Sequence, residues 1–119
     1  MKEEFKNMTK KFAIDCWRLC EKIPESREFD AFCRQLIRCS SSVGANYRVA
    51  CRAKFQTIFL NKLTIAQEEV DQSIFFLEVL NEINSKNKVA IKRLIDEVNE
   101  ILSIVVAFMK TMWSKSQKS

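Results

Sequence analysis

The sequence predicts an all-α protein, folded as one antiparallel up-and-down four-helix bundle. Three observations carry that expectation. Hydrophobic residues make up 47% of the 119 residues, yet there is one glycine and one proline, so the apolar side chains must sit on regular elements joined by few turns. Apolar residues recur at spacings of three and four along most of the chain, which is the period of a helix face and not of a strand. The length suits a single domain over residues 1–119, and a chain this short buries only part of its apolar surface alone. The excess points to a homo-oligomer as its sink.

The first helix is expected over about residues 4–22. Phe5, Met8, Phe12, Cys16 and Leu19 form its stripe, continued by Ile23, while Ala13, Trp17 and Cys20 widen it. Pro24 ends this helix, because proline restricts the residue before it and cannot donate inside a helix. Ser26 then starts a second helix over about 28–48, since a hydroxyl with acids at Glu25 and Glu28 suits exposed N-terminal amides. Its buried face is Phe32, Leu36, Ser40, Val43 and Tyr47, and small residues around Gly44 allow a neighbouring helix to approach closely.

No strong breaker separates residues 28 to 83, and one helix of that length would run roughly 80 Å. The chain is therefore expected to fold back between Arg48 and Lys54. The third helix, about 53–83, carries one stripe from Phe55 through Leu63, Val70 and Leu77, and a second through Ile58, Ile65, Phe76 and Ile83. Two apolar stripes call for neighbours on both sides. The polar run Asn84 to Lys88 is a connection, and the fourth helix spans about 87–113 with Ile91, Leu94, Val98, Ile101 and Val105 inward. The tail from Ser114 to Ser119 reads as a solvated, frayed end.

The charge pattern is the main functional signal. Residues 31–67 hold six basic residues and no acid, and Arg34, Arg38 and Arg48 fall within about 80° of one another on a helix turning about 100° per residue. With Arg52, Lys54 and Lys62 they form a candidate nucleic-acid-binding surface on a chain of net charge +5. Two other uses of these residues stand beside it: a merely solvated face, and ion pairs with the acids of the third helix.

Other chemistry is poorly supplied. The chain has no histidine, no glycine-rich phosphate loop and no nucleophile motif, so a noncatalytic protein without metal or cofactor is expected. Glu68, Glu69 and Asp71 do not make a ferritin-like metal site, which needs Glu-x-x-His pairs. The cysteines at 16, 20, 33, 39 and 51 form no Cys-x-x-Cys pair and read as reduced, packed thiols, with Cys16 and Cys20 sharing a helix face. No apolar run is long enough to span a membrane and the N-terminus lacks a signal-peptide core, so a soluble, cytoplasmic protein is expected.

The central stretch resembles a known family. Gln35, Leu36, Arg38, Ser42, Val43, Asn46 and Tyr47, followed by Arg52, Phe59, Asn61, Lys62, Leu63, Ile65, Ala66 and Glu69 and then Leu77, Glu78 and Leu80, match the four-helix bundle proteins first noticed in intervening sequences inside bacterial 23S ribosomal RNA genes. Related accessory proteins of diversity-generating retroelements share the pattern. Val49 stands where the family usually has glutamate, and Ile58 where a polar residue is common. The resemblance implies a ring-like homopentamer around a central channel. For the retroelement branch it also implies binding of nucleic acid and of a partner reverse transcriptase, whereas the intervening-sequence branch has no established activity.

Two functions follow. The leading one is a noncatalytic oligomeric scaffold or accessory protein that binds RNA or DNA phosphates through the basic helical surface. The alternative is a protein–protein assembly module without nucleic-acid affinity. The residues expected at oligomer interfaces are Trp17, Asn46, Tyr47, Phe76 and Trp113.

Overall fold

The computed structural model describes the backbone of residues 2–118 and the side chains of residues 2–115. Four helices follow one another: α1 (Lys2–Lys22), α2 (Arg27–Cys51), α3 (Gln56–Ile83) and α4 (Lys88–Lys118), with no strand among the described residues. Each helix runs antiparallel to the one before it. α2 packs between α1 and α3, and α4 closes the bundle against α3 and α1. The resulting rod is 52 Å long and about 20 Å across.

The helix ends have different causes. Ser26 begins α2 as expected, its Oγ accepting a hydrogen bond from the Phe29 amide at 3.0 Å. The α2–α3 connection falls at residues 52–55, and Phe55 occupies the N-cap of α3 without any side-chain cap bond. Packing of α3 back on α2, not local capping, sets that corner. Asn87 precedes α4 with φ of 65°, a left-handed backbone that asparagine tolerates better than most residues. Its Oδ1 accepts from the Asn84 amide at 3.2 Å, which ties the connection together. α4 continues to Lys118, past the expected end at Trp113. Side chains from residue 116 onward lie outside the described residues.

The core follows the apolar stripes. Phe12, Cys16, Leu36, Val43, Leu63, Val70, Leu77, Ile91, Val98 and Ile101 are fully buried along the axis. At one end Phe5, Tyr47 and Phe108 form a three-ring cluster, Phe5 edge-on to both partners at 4.6 and 5.5 Å between centroids and Tyr47 stacked on Phe108 at 6.0 Å. Tyr47 thus reaches across the core to α4, whose backbone lies farther from α2 than those of α1 and α3.

Gly44 lets α1 approach α2 closely. A β-carbon there would lie 2.9 Å from Thr9 Oγ1 and 3.2 Å from Thr9 Cβ. Thr9 cannot yield easily, because its buried hydroxyl donates to the carbonyls of Phe5 and Lys6 at 3.1 and 3.0 Å. The other buried hydroxyls are satisfied in the same way, Ser40 on Ile37 O and Ser73 on Glu69 O. Among the described residues no buried side-chain polar atom lacks a partner.

Candidate nucleic-acid interface

Helix α2 and the turn after it carry the basic surface. Arg34 and Arg48 are exposed on its outer side about 21 Å apart, at 1.5 Å per residue. Arg52 caps the helix and Lys54 follows in the turn, both exposed. Among the described residues no carboxylate lies within 4 Å of these four cations. They can reach a phosphate without first breaking an ion pair.

Arg38 sits on the same stripe but is differently placed. Its Nη1 lies 3.3 Å from Glu69 Oε2, its Nη2 donates to Gln72 Oε1 at 2.6 Å, and its Nε donates to Gln35 Oε1 at 3.2 Å. All three guanidinium nitrogens are therefore engaged within the protomer, and Glu69 is only 13% exposed. Arg38 thus joins α2 to α3, and its half-exposed guanidinium is presented to a phosphate less freely than those four cations. Lys62 on α3 is half-buried, so its ammonium is less freely presented than the four exposed cations.

The expected interface residues divide. Trp17 and Trp113 are 51% and 60% exposed and remain available to a partner surface. Tyr47 is 2% exposed inside the ring cluster, so its assignment to an interface is corrected to core. Asn46 is half-buried, and its amide donates to Ser42 O and Oγ at 2.9 and 3.0 Å, stabilising α2 locally. Phe76 is half-buried against Phe32 and Phe75, at centroid distances of 6.2 and 5.3 Å. Phe55 and Phe75, at 66% and 56%, are exposed aromatics that the interface assignment missed. Phe75 falls outside both apolar stripes of α3, on the helix's outer side, and an apolar ring at such a position is the signal that would have found it.

All five cysteines are free thiols. Cys20 does not pair with Cys16 on its own helix but faces α2, its thiol donating to Cys33 O at 3.8 Å. Burial pushes the Cys16, Cys20, Cys33 and Cys39 thiols above their ordinary range, which keeps them protonated and unreactive. Among the described residues no group of three or more His, Cys, Asp or Glu is placed to hold a metal ion, and no helix is long and apolar enough to cross a membrane.

The sequence reading missed a concave feature, a groove of about 260 Å³ between α1 and α4. Its charged lining comes from positions more than 70 residues apart, which a pass along the chain does not bring together. The available signal was the recurrence of Lys11, Asp15, Arg18 and Lys22 on one face of α1.

Fold and surface together define a small all-α bundle protein with a basic outer face on its second helix. The model of the 23S rRNA-intervening sequence protein family matches residues 2–107, and the chain belongs to that family. It is also similar to a solved structure described as a protein of unknown function from the S23 ribosomal protein family of Bacteroides thetaiotaomicron. That likeness has a TM-score of 0.82 at 24% identity and covers 89% of this chain and 98% of the other, which supports the fold. Comparison with curated proteins finds no match.

Proposed function

We propose that this protein is a noncatalytic oligomeric scaffold that contacts RNA or DNA phosphates through Arg34, Arg48, Arg52 and Lys54. The observation that carries the reading is the exposure of these four cations with no carboxylate within 4 Å among the described residues. Such contacts give salt-sensitive affinity with little sequence preference. Exposed Trp17, Phe75 and Trp113 supply the apolar surface for self-association, and a pentameric ring is the assembly this reading adopts. A ring would repeat the basic surface once per protomer and raise avidity for a polyanion. A reverse transcriptase is the protein partner that fits the retroelement resemblance.

Fluorescence anisotropy with labelled single-stranded RNA and duplex DNA tests the reading. Saturable binding is expected, with at least a tenfold loss on reversing Arg34, Arg48 and Arg52 to glutamate and an unchanged helical signal. Absence of binding even at low salt would sink it. A protein-assembly module is the second reading, favoured by the engagement of Arg38 within the protomer and by the exposed aromatics. That outcome would show as self-association without nucleic-acid affinity.

A further inference from the structure

We propose that the groove between α1 and α4 binds a small organic phosphate, at a site separate from the α2 surface. The groove lies along the seam where α1 meets α4, which is spanned by one side chain. Lys11 of α1 reaches Asp15 Oδ2 at 2.7 Å and Glu97 Oε1 of α4 at 3.1 Å. Hydrogen bonds to Asp15 and Glu97 hold its ammonium above the usual lysine range. Both carboxylates are about three-quarters buried and spend their charge on Lys11.

That arrangement leaves the other cations of the groove in excess. Arg18 and Lys22 from α1 and Arg93 from α4 line the same hollow, and among the described residues none has a carboxylate within 4 Å. Four cations face two carboxylates, a surplus of two positive charges. A phosphomonoester carries about −1.5 to −2 at pH 7 and offers three strong acceptor oxygens, so it matches that surplus. Two arginines suit it further, because a guanidinium fork binds phosphate oxygens in pairs.

Size and floor limit the rest of the ligand. The 260 Å³ hollow lies just below the range of about 300–1,000 Å³ that drug-sized ligands occupy. A body no larger than a sugar fits. The nearly buried side chains of Leu19 and Leu94 lie beneath it, giving a small apolar floor for the flat face of a ring. The site depends on neither Arg34 nor Arg48, so it stands or falls independently of nucleic-acid binding.

The test is an amide NMR titration of the full chain with ribose 5-phosphate, inorganic phosphate and ribose in separate arms at low salt. Ribose 5-phosphate is expected to give saturable shifts on α1 and α4 around Arg18, Lys22 and Arg93. Inorganic phosphate should shift the same amides with weaker affinity, and ribose should shift none. Arg18→Gln with Arg93→Gln should weaken ribose 5-phosphate binding at least tenfold, since neither side chain is part of the core, while Arg34→Gln should leave it unchanged. No saturable shift with either phosphate, shifts confined to α2, or undiminished affinity in the double variant would overturn the proposal. Equal affinity for inorganic phosphate would overturn its claim on an organic body.

Discussion

Gly44 and Thr9 fix how closely α1 and α2 approach. Replacing Gly44 with alanine gains about 1 kcal/mol of helix propensity but forces a methyl against Thr9, and overpacking of this kind costs about 1–3 kcal/mol. Gly44→Ala is therefore expected to destabilise the protein by about 1 kcal/mol in denaturant unfolding, and to cost less in a Thr9→Ala background, which removes the nearer of the two contacts. Equal effects in both backgrounds would show that the Thr9 contact does not set the spacing. Tyr47 is a second case. Removing a buried aromatic ring costs about 3–5 kcal/mol, so Tyr47→Ala should lower unfolding stability by that amount, where a surface residue would change association alone. Sequence reading put Tyr47 both on the buried face of α2 and among the interface residues; the convergence of Phe5 and Phe108 on it favours the core role. The thiols give a third expectation. Native protein should modify Cys16, Cys33 and Cys39 far more slowly than half-buried Cys51 with a disulfide reagent, and all five should react once unfolded.

The periodic parts of the elements were legible because one face of each helix is committed to the core. Phe12, Leu36, Leu63 and Val98 can be read from spacing alone and are fully buried. The α2–α3 corner was legible only as an interval, since neither Arg52 nor Phe55 brings a capping side chain and the turn is imposed by packing between the two helices. The candidate site was legible in its charge, with ion pairing to α3 acids as an alternative, but not in which arginine pairs. Arg34, Arg38 and Arg48 look equivalent on a helical wheel, yet only Arg38 faces Glu69 and Gln72, which sit more than 30 residues away. At this scale pH acts through the buried thiols of α1 and α2. Their folded pKa values are raised above the ordinary 9.0, so the neutral thiols contribute stability that is fully present below pH 9 and is lost as pH rises through the folded values. Thermal stability should accordingly decline above pH 9, and Cys16→Ala should flatten that decline. An equally steep decline in the variant would assign it to other groups.

For the whole molecule, the bundle buries its shared core but leaves aromatic surface at Trp17, Phe55, Phe75 and Trp113. Light scattering at micromolar concentration should therefore report a particle several times the 13.9 kDa protomer, and a monomer would contradict the scaffold reading. Two groups of cations stand apart on the rod, one on the outer side of α2 and one in the α1–α4 groove. The nucleic-acid reading rests on the first. The salt dependence of duplex DNA binding tests that most directly, compared among the native protein, Arg48→Gln and Arg38→Gln. Each phosphate contact contributes about 0.9 to the slope of log affinity against log salt. The structure predicts that Arg48→Gln lowers the slope by about that amount and that Arg38→Gln leaves it unchanged, because Arg38 is already held by Glu69 and Gln72. A slope that falls with Arg38→Gln and not with Arg48→Gln, or binding without salt dependence, would contradict the account.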